Sequence, residues 1–327
     1  EALGAQLVNA DILGHRAYLP STKGFDQIVK CFGKRIVGQD GLVDRKILGK
    51  LVFADVESMS ALNDIVHPII FDLVQNILEN NLNNNVKILA MTHVSNVFGT
   101  INPVKEIIEK AHQYGTLVLL DGCQSIPHIK INVEELDCDF FAFSGHKMLG
   151  PTGIGILYGK KDILENMAPY QTGGGMIEDV TMEKSTWTSI PHKFEAGSPT
   201  SAQAISLGYA IDYLNQIGDD YIETQKKLML YALEKLNTIN GITIYGNASE
   251  RIPIISFNVD NIHSLDITQF LDFEGITLRS GHHCCKPLMN SLGISSCARV
   301  SLYIYNTVEE IDRLVEGIQK AVSMFSG

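Results

Sequence analysis

The feature that most constrains this chain is a pair of short apolar runs, Leu117–Leu120 and Phe140–Phe143, each closed by polar residues. Neither run alternates apolar with polar positions, the pattern of strands covered on both faces in a parallel sheet. Asp121 follows the first run, with Gln124 just beyond it, and Ser144-Gly145-His146-Lys147 follows the second. Ligands of open α/β sheets bind outside the carboxyl ends of strands, so these two ends are a candidate site. Upstream, 86–91 reads as a further buried strand and Val104–Tyr114 as an amphipathic helix leading into the first run. That order is a βαβ unit, which makes the two strands parallel.

An Asp and a Lys at neighbouring strand ends have two readings. One is a buried ion pair. The other is a site for pyridoxal phosphate, which needs a lysine amine for its aldehyde carbon and an acid that keeps its ring nitrogen protonated. Ser144 and His146 add hydroxyl and imidazole donors suited to a phosphate, and Gly150, Gly153 and Gly155 allow tight turns after the lysine.

Four stretches, THVSNVFGTINP, LLDGCQSIPH, FSGHKMLGPTGIGILYG and RSGHHC, occur in this order and resemble the group II (Suf-type) cysteine desulfurases of the class V aminotransferase superfamily. The resemblance runs over about residues 86–327. It implies the type I fold of pyridoxal-phosphate-dependent transferases: an incomplete α/β large domain over 81–205 and an α+β small domain over 206–327. It also implies roles. Lys147 holds the cofactor and moves the substrate's α-proton, Asp121 faces the ring nitrogen, and Asn96 lies by the phenolic oxygen. Gln124, Ser144 and His146 complete the cofactor contacts. Ser198, in FEAGSP, reaches the phosphate of a partner subunit's cofactor, which implies a homodimer; read alone, it is a turn or helix-cap residue. Cys284 takes the sulfur of L-cysteine as a persulfide, with Cys285 as its rival. Arg299 clamps the substrate carboxylate, and Arg279, His282 and His283 are candidates for positive charge near the thiolate. The product is L-alanine, and the sulfur passes to an acceptor protein, serving iron–sulfur cluster assembly. Cys123, Cys138 and Cys297 read as core filling. The family's ring-stacking histidine and the helix N-terminus that grips its phosphate have no counterpart in this sequence.

Residues 1–80 read differently. NADILGHRAY, CFGKRIVGQDGLVDRKILGKLVF and LNDIVHPII resemble dephospho-CoA kinases of the CoA synthase type. The resemblance puts Asp11 by the phosphorylated ribose hydroxyl and Arg45 in the CoA site; Asp11 equally suits a helix cap. The Gly-x-x-x-x-Gly-Lys-Ser/Thr loop that cradles ATP phosphates does not occur, and Lys160 in GILYGKK has the wrong glycine spacing. The segment is therefore expected to be a truncated module without kinase activity, joined to the rest through the asparagine-rich 78–85.

A net charge of −11 argues against nucleic acid and anionic membranes as partners, and no apolar run reaches membrane-span length. Six scattered cysteines and no secretory signal over the first 20 residues imply the cytoplasm or another reducing interior. Four consecutive residues, His282 to Cys285, cannot readily converge on one ion, so no metal is expected. Three functions stay open from the sequence: a desulfurase, a kinase-like CoA-binding module, and an inactive fusion fragment.

Overall fold

The computed structural model describes residues 17–53, 58, 61–62, 64–66, 68–69, 72–73, 76, 86–246, 248 and 250–325. Asp11 and the expected joint at 78–85 lie outside the described residues. The described residues open with helices α1 (Lys23–Phe32) and α2 (Arg45–Phe53). Thr22 caps α1 by accepting the Phe25 N–H at 3.1 Å, and Ile28 and Phe32 face a small apolar core with Ile36, Leu48 and Val52. Then come β1 (Ile88–Thr92), α3 (Val104–Gln113), β2 (Leu117–Asp121), α4 (Val133–Leu136), β3 (Phe140–Ser144), β4 (Gly155–Gly159) and α5 (Lys161–Asn166). A hairpin of β5 (Ile177–Val180) and β6 (Ser185–Trp187), which the sequence reading did not anticipate, precedes α6 (Ser201–Ile217). The chain closes with α7 (Asp220–Leu236), β7 (Ile242–Tyr245), β8 (Ile254–Val259), α8 (Ser264–Phe273), β9 (Arg279–Gly281), α9 (Lys286–Ser291), β10 (Cys297–Ser301) and α10 (Val308–Phe325).

The contacts divide the chain into two units. Glu1–Asn85, Val94–Pro103 and Asp220–Gly327 form one; Val86–His93 and Val104–Asp219 form the other. The boundary expected at 205/206 falls inside α6, and the contacts change hands at Asp220. The ten-residue loop Val94–Pro103 also leaves the unit of its flanking strand and helix.

In the α/β unit the sheet order is β1-β2-β3-β4. β1 and β2 are parallel with Ile88 opposite Leu117, β2 and β3 are parallel with Leu119 opposite Phe140, and β4 runs antiparallel to β3. The expected βαβ unit is therefore present. Val118, Leu120 and Phe141 pack under α3 with Val104, Ile108 and Ala111. The expectation of a strand buried on both faces fails for β1. Among the described residues it is the sheet edge, and its exposure alternates, with Ile88 53% exposed. Successive side chains of a strand point to opposite faces, and among the described residues Ile88, Ala90 and Thr92 of β1 are the exposed set.

In the antiparallel unit the order is β7-β8-β10-β9. Ile255, Phe257, Ala298 and Val300 pack against Leu228 and Leu236 of α7, Ile267 and Leu271 of α8, and Ile311 and Ile318 of α10. Among the described residues, no helix is long and apolar enough to cross a membrane.

Candidate active site

The α/β unit carries Asp121, Gln124, Ser144, His146, Lys147 and Ser198; the other unit carries Asn96, Arg279, Cys284 and Arg299.

Asp121 ends β2, beside the end of β3, because the two strands are parallel and in register. Its carboxylate is exposed, and Oδ1 accepts the Cys123 N–H at 2.9 Å, an Asx turn that fixes the chain just past the strand. Gly122 makes this turn compatible with β3: a Cβ there would lie 2.0 Å from the Phe141 ring. Cys123 is half-buried with Sγ 3.5 Å from Ser144 Oγ, so it links the two strand ends and is not core filling. The sequence signal for this was its place two residues after the strand-end acid. Cys138 and Cys297 do fill the core, and burial pushes each thiol up to about 11.

A 3-10 turn over Gly145–Met148 follows β3. Met148 is buried and anchors it, leaving His146 and Lys147 exposed. Gly150 closes the turn: its N–H reaches the Gly145 carbonyl at 3.0 Å, and a Cβ would meet that oxygen at 2.8 Å. Lys147 has no hydrogen-bond or ion-pair partner among the described residues, and Asp121 is exposed, so the two are not a buried ion pair. The neighbouring lysines differ. Lys160 is bound to Asp137 at 2.6 Å and Asp139 at 3.1 Å, and Lys193 donates to the Leu164 and Glu165 carbonyls at 3.1 and 2.7 Å. Gln124 is half-buried in the turn after Cys123. Ser198 is exposed in the segment before α6, where the Gly197 N–H holds the Gly174 carbonyl at 2.8 Å. His93, at the end of β1, also bears on the site: its N–H reaches the Asp121 carbonyl at 2.9 Å and its ring is buried. Nothing in its sequence context marked it.

In the antiparallel unit, Arg299 of β10 lies directly opposite Arg279 of β9. Like charges in cross-strand register repel, and neither arginine has an acidic partner among the described residues. Burial and the Arg279 charge pull the Arg299 pKa below its ordinary value. One Arg299 nitrogen, Nη1, donates to the Asn96 carbonyl at 2.7 Å, and its Nε is buried without a partner.

Beyond β9 the chain turns sharply. The Cys285 N–H closes onto the His282 carbonyl at 2.8 Å, with His283 at φ 50° and Cys284 at φ 60°. Cys284 is exposed, and Cys285 is half-buried against the cluster formed by Val97, Phe98, Leu288, Met289 and Cys297. The two cysteines part company in a turn, not in the extended chain anticipated for them. His283 cannot supply positive charge at neutral pH. It is 3% exposed, and burial pulls its ring down to about 4. Its Nε2 donates to the Cys297 carbonyl at 3.0 Å, since a carbonyl only accepts. Arg279, at the far end of β9, and His282 are both exposed.

A mixed α/β sheet unit with an Asp and a Lys at its strand ends, and an antiparallel unit with helices, are the parts of the type I fold of pyridoxal-phosphate-dependent transferases. The chain belongs to the aminotransferase class-V family, which matches residues 71–314. A second family, dephospho-CoA kinase, matches residues 1–94. A probable cysteine desulfurase of Halalkalibacterium halodurans is 52% identical over 74% of this chain and 60% of its own length. A cysteine desulfurase of Haloferax volcanii is 46% identical over 75% of this chain and 58% of its own. The chain thus spans about 60% of the length of these curated relatives. Among solved structures, the cysteine desulfurase CsdA of Escherichia coli superposes with a TM-score of 0.70 at 34% identity, covering 75% of this chain and 62% of that one. The apo cysteine desulfurase of Thermococcus onnurineus gives 0.73 at 27% identity, covering 98% and 93%.

Proposed function

We propose that this chain carries the catalytic parts of a pyridoxal-phosphate-dependent cysteine desulfurase, which converts L-cysteine to L-alanine and retains the sulfur on Cys284. One observation carries the reading: an exposed thiol follows a strand whose arginine faces a second arginine with no acid between them. That combination suits a substrate with a carboxylate and a sulfur. Arg299 is half-buried and keeps Nε for the carboxylate in a planar fork.

The residues present fit the cofactor at its carbonyl and ring ends. Lys147 is exposed and has no partner among the described residues, and the Asp121 carboxylate stands at the adjoining strand end with an accepting oxygen to spare. Bound there, pyridoxal phosphate supplies an electron sink for the bonds of the substrate's α-carbon. Lys147 would hold the aldehyde carbon and move the α-proton, and Asp121 would hold a proton on the ring nitrogen by its charge. Asn96 would donate to the phenolic oxygen, and Gln124, Ser144 and His146 would supply further polar contacts. Ser198 would reach the phosphate of a partner subunit's cofactor, in a homodimer.

The Cys284 thiolate attacks the substrate sulfur. An S–S bond forms as the C–S bond breaks, the electron pair goes to carbon, and protonation there gives L-alanine. No outside oxidant or reductant is consumed. His283 is held neutral by burial, so positive charge beside Cys284 comes from Arg299, whose guanidinium interacts with it. The persulfide then passes to an acceptor protein, which serves iron–sulfur cluster assembly in a reducing compartment. Residues 1–94 match a kinase family, but the glycine loop that phosphoryl transfer requires does not occur in residues 1–327.

The test is alanine and sulfide release from L-cysteine with added pyridoxal phosphate. Cys284→Ala should lower it by roughly two orders of magnitude, as loss of a nucleophile does, and Cys285→Ala should leave most of it. Borohydride reduction should fix a pyridoxyl group on Lys147. Sulfide release that survives Cys284→Ala, or label on Lys160 or Lys193 in place of Lys147, defeats the assignment.

A further inference from the structure

We propose that Asn96 is a positioning residue for Cys284, acting through the backbone of the cysteine turn. The inference rests on the desulfurase reading for its purpose, but not for its geometry. The turn from His282 to Cys285 has both central residues at positive φ, His283 at 50° and Cys284 at 60°. That is the sign pattern of a type I′ turn, which glycine, asparagine and aspartate dominate because other side chains crowd their own backbone there. A histidine and a cysteine hold it only if their surroundings over-determine it.

The surroundings can be named. Asn96 Nδ2 donates to the His283 carbonyl at 2.6 Å, across 187 residues of sequence. The His283 ring is buried and its Nε2 donates to the Cys297 carbonyl at 3.0 Å. His283 is thus gripped at its ring from one side and at its carbonyl from the other. Cys285 packs against the buried cluster that contains Val97, the residue after Asn96. The Asn96 carbonyl in turn accepts from Arg299 Nη1 at 2.7 Å. One residue therefore ties the strand arginine to the turn that presents the thiol. The amide has a second N–H and its oxygen left over, so the grip on the turn does not prevent a cofactor contact. Released from Asn96, His283 and Cys284 would relax toward the ordinary negative-φ region, and the thiol would lose its fixed direction.

The experiment compares Asn96→Ala and Asn96→Asp with Ser256→Ala in the full chain. Ser256 Oγ donates to the Val97 carbonyl at 2.6 Å, so its loss loosens the same loop while leaving the Asn96 bond to the His283 carbonyl in place. Two readouts are taken without cofactor: hydrogen exchange of the peptide over 281–286, and iodoacetamide labelling of Cys284 relative to exposed Cys31, both by mass spectrometry. In both Asn96 variants, exchange should quicken about tenfold or more, as expected for a locally opened turn, and the labelling ratio should change roughly threefold or more. Ser256→Ala should move neither. In loaded enzyme the Asn96 variants should lower kcat for sulfide more than they raise KM. If Asn96→Ala fails to fold, the isosteric Asn96→Asp carries the test with the same signs. Unchanged exchange and labelling in a folded Asn96 variant, or equal changes in Ser256→Ala, overturn the proposal. Absence of alanine formation by the unsubstituted chain would count against the desulfurase reading alone.

Discussion

Two buried histidines set a pH limit that a residue count does not reveal. His93 and His283 are each pulled from 6.5 to about 4 by burial. Between those values the unfolded chain binds protons that the folded chain refuses, so stability rises with pH across this window. The contribution is complete above about pH 6.5 and is lost as the pH falls toward 4. At 1.36 kcal/mol per pKa unit, each ring costs roughly 2 kcal/mol by pH 5. The urea midpoint should therefore fall between pH 7 and pH 5, and His283→Gln should flatten that fall by about half. A midpoint with the same pH slope in His283→Gln would mean the ring is not held neutral. The sequence named His283 as a source of charge because it sits beside the cysteine; only its burial, at 3% exposure, decides that it is neutral.

At the scale of elements, the ends of β2, β3 and α3 are fastened by one carboxylate. Asp139, just before β3, accepts the Val118 N–H at 2.7 Å and His112 Nε2 at 2.8 Å, and pairs with Lys160 at 3.1 Å. Burial opposes its charge, but the bonds from His112, the Val118 N–H and Lys160 outweigh it and hold the carboxyl below the usual range. Asp139→Asn can keep an oxygen at the Oδ2 position for the Val118 N–H and His112 Nε2, but it removes the charge and turns an NH2 toward Lys160 in place of Oδ1. It should cost about 2 kcal/mol, read from urea denaturation at neutral pH. A loss below roughly 0.5 kcal/mol, the range of ordinary surface changes, would show that the network contributes little. The same strands show why Asp121 and Lys147 were legible from sequence. Each closes an uninterrupted apolar run, and a parallel pair aligns the two ends. The open edge at β1 was not legible, because whether a strand is covered depends on neighbours that its own residues do not name.

At the scale of the molecule, one face of the α/β sheet carries exposed apolar side chains on both outer strands among the described residues. Ile88 on β1 and Leu157 on β4 share that face by register and are 53% and 57% exposed. Helix α6 in the same unit presents Ile205, Tyr209 and Tyr213 to solvent, at helical spacing of four. Parallel sheets ordinarily have both faces covered, and contiguous apolar patches mark contacts or aggregation sites. The purified chain should bind an apolar fluorescent dye while retaining a cooperative unfolding transition. Ile88→Lys with Leu157→Lys should reduce dye binding severalfold without a fall in urea midpoint. Dye fluorescence that does not respond to these changes would place the apolar surface elsewhere.

The residues alone determined the chemistry on offer: a lysine and an acid at the ends of apolar runs, a cysteine after Arg-Ser-Gly-His-His, and an arginine in a strand. These are legible because strand periodicity and its punctuation are local properties. The tertiary structure decided which groups meet. It put Arg279 opposite Arg299, moved Val94–Pro103 out of the unit of its neighbours, and brought the Asn96 amide to the His283 carbonyl. It also made His283 neutral and Cys284 the outward thiol. Burial, register and contacts across 187 residues arise only when the chain closes on itself, so no local pattern could have encoded them.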